Sequence, residues 1–187
     1  MQSLARQPRS DSRSAILDAA CAELASNPRA SLSLIAERAG VGRATLHRHF
    51  RTREDLIREL AQQSIREIDE AVAGLEDQAR SALHFLELVV EAVIPFGDRY
   101  HFLANETWAA TDPTLSAELD RQLSSLGELI EICKSEGAID ASIPTPWIVS
   151  AIDSLIYTAW SLVATGHIAQ RGASSLLMRT LLKGVQP

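Results

Sequence analysis

Residues 31–53 read SLSLIAERAGVGRATLHRHFRTR, two short helical patterns on either side of Gly40. Ser31 is a natural N-cap for the first pattern, which buries Leu32, Ile35 and Ala39. Small Ala36 and Ala39 let the two helices approach closely, and Gly40 supplies the positive φ that a Cβ would strain. The second pattern is opened by Gly42 and anchored by Leu46 and Phe50, four residues apart. It carries Arg43, Thr45, His47, Arg48 and His49, and of these Arg43, Thr45, His47 and Arg48 point away from the anchors. This is the layout of a helix-turn-helix, whose second helix lies in the DNA major groove. Arg can take guanine bidentately, and Thr can hydrogen-bond to a base or touch a thymine methyl. The plain alternative is a pair of packed helices with an ordinary solvated charged face.

The charge distribution separates those readings. The 187-residue chain carries a net −6. Residues 1–55 hold nine Arg against six acids, a net +3, while residues 56–187 hold nine bases against eighteen acids, a net −9. A basic head on an acidic body suits a phosphate-binding end joined to a part that must not adhere to DNA.

Working outward, the patterns predict an all-α chain of about nine helices. No run alternates apolar and polar residues as a half-buried strand requires. The opening MQSLARQPRSDSRS has no apolar core, so it reads as a short disordered arm over 1–11 rather than a secretory signal. A first helix is expected over about 12–26, striped by Ile16, Leu17, Ala20, Cys21 and Leu24 and ended by Asn27-Pro28. Thr52 caps a fourth, whose stripe runs through Leu56, Ile57, Leu60, Ile65, Ile68, Val72 and Leu75. Further helices are expected over about 79–94, closed by Pro95, and irregularly over 98–108. Asp112-Pro113 and Thr145-Pro146 each read as a cap followed by Pro at the first helical position, with Gly137 and Gly166 beyond the helices they open. Residues 174–183 make the last.

Residues 12–57 resemble the N-terminal domain of TetR-family transcriptional regulators. The family's Ile-Leu-x-Ala-Ala helix is matched by Ile16, Leu17, Ala19 and Ala20. Its Ile-Ala-x-x-Ala-Gly-Val is matched by Ile35, Ala36, Ala39, Gly40 and Val41. Its Thr-Leu-Tyr-x-(His/Tyr)-Phe reads here Thr45, Leu46, His47, Arg48, His49 and Phe50, and its (Ser/Thr)-Lys-Glu-x-Leu reads Thr52, Arg53, Glu54 and Leu56. The chain departs from the pattern at Gly42, Ala44, His47 and Arg53, which replace the usual Ser, Gly, Tyr and Lys. The resemblance implies a DNA-binding domain over 12–57 and a ligand-binding and dimerisation domain over 58–187. It implies a homodimeric, ligand-responsive regulator, most simply a repressor released from a palindromic operator by a small molecule. Expected DNA contacts are Ser31, Arg43, Ala44, Thr45, His47, Arg48, His49 and Arg53.

The family's last two long helices pair with their copies in a four-helix bundle. In WIVSAIDSLIYTAWSLVA, apolar on most sides, Ala151, Ser154, Leu155, Thr158 and Leu162 suit that contact, with Leu177, Thr180 and Leu181 on the last helix. For the effector, Asp153, Tyr157 and Trp160 share one face at i, i+4 and i+7, and His84, Tyr100, His101 and Trp108 lie in an aromatic-rich middle region. An aromatic stripe at helical spacing is also ordinary core. Asp153 stands out because a buried carboxylate needs a partner, which a ligand, Arg99 or the dimer seam could supply.

An all-helical enzyme or a protein-interaction module are the competing classes. The chain has no nucleophile elbow, phosphate loop, H-E-x-x-H or dinucleotide fingerprint. His47 and His49, at i, i+2, diverge on a helix, and Cys21 and Cys133 lack metal spacing, so no metal or cofactor is expected. No charge-free apolar run reaches membrane-spanning length. A cytoplasmic location follows, with operator DNA, a small effector and a second copy of the chain as partners.

Overall fold

The computed structural model describes residues 12–97 and 112–185, and among these every regular element is helical. Eight α-helices occur there: α1 Ser12–Ser26, α2 Leu32–Arg38, α3 Arg43–His49, α4 Arg53–Val72, α5 Ala82–Val93, α6 Pro113–Ser135, α7 Thr145–Ala164 and α8 Gln170–Val185. Single 3-10 turns cover Glu76–Gln78 and Ile94–Phe96. The expected arm over 1–11 and the irregular helix over 98–108 lie outside the described residues, as does Arg99. The chain divides into two compact units, 1–61 and 62–187, and the division falls inside the continuous helix α4.

The first unit is closed by local chemistry. Ser31 Oγ accepts the Leu34 N–H at 3.2 Å and starts α2. At the other end, Gly40 (φ 66°) donates to Glu37 O and Val41 donates to Ala36 O, the paired bonds that close a helix through a left-handed residue. Gly42 is extended and caps nothing with a side chain, so α3 starts without the family's usual Ser bond. Thr52 and Asp55 exchange bonds: the Asp55 N–H donates to Thr52 Oγ1 at 3.0 Å, and the Thr52 N–H donates to Asp55 Oδ2 at 3.2 Å. Ile16, Leu24, Ile35, Leu46, Leu56, Ile57 and Leu60 are fully buried, and Phe50 joins them. Burying a residue of that size is worth about 1.5–3 kcal/mol.

In the second unit Leu86, Val90, Ile94, Ile130, Cys133, Ile139, Ile148, Ile152, Leu177 and Leu181 form one core. Burial pushes the Cys133 thiol up to about 11, so it is a core thiol with little thiolate character. Asp112 caps α6 as read, its Oδ1 accepting the N–H groups of Thr114 and Leu115. Thr145 does not cap α7. The cap position is Pro144, Thr145 is the first helical residue, and its hydroxyl is engaged by Lys134 (2.5 Å) and Glu131 of α6. The Thr145 hydroxyl and Lys134 Nζ (3.2 Å) both donate to Glu131 Oε1 and hold its carboxyl below its usual range, Thr145 contributing most. α5 begins later than expected because Ser81, accepting the His84 N–H, supplies its cap.

Candidate functional site

α3 presents one continuous exposed strip. Leu46 is its buried anchor, so the helical turn carries Arg43 and His47, and alongside them Ala44 and Arg48, to the open side. Arg51 extends the strip past the helix end. Next to it, a shallow cleft of about 370 Å³ runs along the starts of α2 and α3, lined by Ser31, Ser33, Leu34, Glu37 and Arg43. Its open sides place Arg43 and Ser31 on one surface. Thr45 is half-buried on the flank of the strip.

Two expected DNA contacts have other work. Arg53 folds back on the α1–α2 connection, its guanidinium donating to Ala30 O at 2.7 Å and Pro28 O at 2.6 Å. It is half-buried, and those bonds fix the loop that leads into Ser31. His49 turns inward: three residues after buried Leu46, it sits at the edge of the core face, its ring 6.4 Å from that of Phe50. Its Nε2 is sealed from solvent without a hydrogen-bond partner. Sequence reasoning assigned both to the DNA face because a basic residue in a recognition motif looks exposed until packing shows otherwise.

α7 has three distinct sides. One enters the core through Ile148, Ile152 and Ala159. A second carries Asp153, Tyr157 and Trp160, with the rings of Tyr157 and Trp160 5.8 Å apart. Trp160 lies directly against Gly97, where a Cβ would fall 2.5 Å from Trp160 Cβ. Gly97 is the last described residue before 98–111. Asp153 reaches solvent at its edge, yet its apolar surroundings raise its pKa by desolvation, and it has no hydrogen bond or ion pair with any described residue. Tyr100, His101 and Trp108 fall in the undescribed segment. His84 is not gathered into this flank by any described contact; its Nδ1 accepts the Arg80 N–H at 3.2 Å beside the start of α5.

The third side of α7 is exposed and was only partly legible. Ser154 and Thr158 lie on it as expected, and Trp147, 70% exposed, stands about two and three turns before them on the same row. Its i, i+7 spacing to Ser154 was the available signal. Ala151, Leu155 and Leu162 are half-buried, with Ala151 and Leu155 leaning on the core. On α8 the outer side is Leu176 and Thr180. Leu177 and Leu181, expected at a dimer face, are instead buried in the chain's own core at 3% and 4% exposure, because α8 rotates those two rows onto α5 and α7. The hydroxyls of Ser154, Thr158 and Thr180 each donate to the carbonyl four residues back at 2.9 Å. Their polar demand is therefore met within the helix, and a partner could cover them at little cost. α7 is also long and apolar enough, by length and composition, to cross a membrane, although only 17% of its apolar window is buried within the chain.

The strip on α3, its Gly40 turn and its capped neighbours define a helix-turn-helix DNA-binding regulator. The profile of bacterial regulatory proteins of the tetR family matches residues 16–60. The HTH-type transcriptional repressor LfrR of Mycolicibacterium smegmatis is 35% identical over 129 residues, 68% of either chain. The chain belongs to the TetR family, a family of transcriptional regulators and not of enzymes. Among solved structures, LfrR from Mycobacterium smegmatis in complex with proflavine superposes with TM-score 0.75 at 28% identity, covering 94% of this chain and 97% of that one. The ketosteroid regulator KstR2 of Mycobacterium tuberculosis gives 0.78 at 18% identity over 99% and 100%, a likeness of fold.

Proposed function

We propose that this regulator is a cytoplasmic homodimeric repressor that reads a palindromic operator through α3 and is released by a cationic, planar aromatic effector. The observation that carries the DNA reading is the exposed Arg43–Ala44–His47–Arg48 strip on a helix whose other side is locked into a core. Arg43 and Ala44, at the helix start, meet base edges. His47 and Arg48 meet phosphate, with Ser31 touching the backbone from the start of α2.

Pairing of copies through α7 and α8 is supported by the uncovered third side of α7, Trp147, Ser154 and Thr158, with Leu176 and Thr180 of α8. An apolar helix left so open needs a second cover, and satisfied hydroxyls make close packing cheap. That partner is a copy rather than a bilayer, because α7 carries Asp153 at its middle and seats one side in a protein core. Two recognition helices in a dimer then meet half-sites about 34–36 Å apart.

The effector class is supported by the Asp153–Tyr157–Trp160 flank. A carboxylate with no partner among the described residues, raised by desolvation on a helix side that also carries two aromatic rings, favours a cation that also stacks. LfrR binds proflavine, a molecule of this class. Binding to the conformer with the wrong helix separation would shift the population away from DNA. Selection of bound duplexes from a random pool tests the first part, with a palindrome expected. Absence of any sequence-selective complex would sink it. Gel-shift titration of that complex with proflavine tests the second, and an unchanged complex at saturating dye would refute the effector class.

A further inference from the structure

We propose that Arg53 is a positioning residue for sequence selectivity: its guanidinium ties the two ends of the helix-turn-helix together and holds the α2 and α3 contacts in one register on DNA. This rests on the reading of α3 as the major-groove helix. Arg53 is the first residue of α4, and only the connection 50–52 separates it from the end of α3. Its main chain is held there by the exchange between Thr52 and Asp55. Its side chain reaches back 23 and 25 residues, Nη1 donating to Ala30 O at 2.7 Å and Nη2 to Pro28 O at 2.6 Å.

Both carbonyls belong to one turn. The Ala30 N–H donates to Asn27 O at 2.9 Å and closes residues 27–30 on themselves. Ala30 is buried, and Ser31 follows it directly as the cap of α2. Every residue assigned to DNA, from Ser31 to Arg48, therefore lies on the stretch whose two ends this one side chain joins. α2 and α3 are seven residues each, too short to keep their geometry without such support. The planar fork puts one nitrogen on each carbonyl, which the single nitrogen of a lysine does not match. A guanidinium seated on two backbone carbonyls is not aimed at phosphate, and exposed Arg43, Arg48 and Arg51 supply charge to the DNA face instead. Base reading needs Arg43 to arrive in register with the phosphate contacts, whereas charge attraction does not. Loosening the tie should thus lower selectivity without removing a phosphate contact.

The test measures affinity of the full chain for its selected operator and for a scrambled duplex of equal length, across a salt series. The parent, R53M and R53K are compared. R53M removes the charge and the donors but keeps an apolar stem, and R53K keeps the charge on one nitrogen. For R53M the ratio of operator to scrambled affinity should fall by about tenfold, the worth of one lost base preference. Its affinity for the scrambled duplex and its slope of log K against log salt should match the parent. R53K should fall part way, at the same slope. Circular dichroism below each midpoint confirms that the variants are folded. A folded R53M with the parent's ratio overturns the proposal, because the tie then serves stability alone. So does an R53M that loses affinity for both duplexes alike, with a slope smaller by about one per protomer, the signature of a phosphate contact. Should R53M fail to fold, R53K decides: a lower ratio at unchanged slope supports the proposal, and the parent's ratio overturns it. A parent without sequence preference refutes the reading of α3, and this proposal with it, before any variant is compared.

Discussion

Substituting alanine for Gly97 should do opposite things from substituting it for Gly172. At Gly97 an added Cβ would sit 2.5 Å from Trp160 Cβ and 2.7 Å from Cγ. Carbon atoms in contact normally rest ~3.5–4.0 Å apart, so backbone or ring must move by about 1 Å. Gly97 is buried, Trp160 is held by its own helix, and neither has a flexible tip that can swing aside. Overpacking of this kind costs about 1–3 kcal/mol. For a chain of this size, ~2 kcal/mol corresponds to a melting point lower by about 4–8 °C. Gly172 lies in α8 with nothing within 4 Å of the new methyl, so G172A should stabilise by about 0.5–1 kcal/mol through helix propensity alone. Scanning calorimetry of the two variants beside the parent makes the comparison. G97A melting at or above the parent, with G172A behaving as stated, would show that Trp160 does not press on Gly97.

Three further outcomes are expected. R53A should lower urea stability by about 1–3 kcal/mol, because it strips the Ala30 and Pro28 carbonyls of their charged donor; an unchanged midpoint would return Arg53 to the DNA face. L177A should cost about 2–5 kcal/mol in the same assay, whereas W147A should leave monomer stability nearly intact and weaken self-association in sedimentation; the reverse pattern would exchange their assigned roles. The raised pKa of Asp153 favours the protonated form in the fold, so its contribution is present below the ordinary aspartate range of about 3.9 and is lost as pH rises through the higher folded value. D153N should therefore gain stability relative to the parent on going from acid to neutral pH while losing affinity for proflavine, and a pH-independent difference would contradict this.

The reading head was legible in the sequence nearly to the residue. Ser31, Gly40, Leu46, Phe50 and Thr52 act through local geometry, and local geometry is what spacing encodes. The same reasoning stopped short where a side chain's destination depends on a distant element. Arg53 reads as a phosphate ligand until the loop at 28–30 is seen to need its donors. Leu177 and Leu181 share a stripe with Leu176 and Thr180, and periodicity alone does not say which row of α8 faces α5 and α7. The Thr145 hydroxyl was drawn from capping by Lys134 and Glu131, eleven and fourteen residues back. Gly97 was passed over because nothing in its neighbourhood announces that Trp160 will arrive there.

The division between the two units inside α4 has a consequence for how such a chain can change. A helix advances about 100° and 1.5 Å with each residue. Adding or deleting one residue between Ala61 and Ile65 would therefore turn Ile65 and Ile68 by more than a quarter circle out of the row of α4 on which they are buried. Length changes within this helix should therefore come three or four residues at a time, the steps that keep its buried row in register. Single insertions should collect in the connections at 27–31 and 73–81, where no phase is kept.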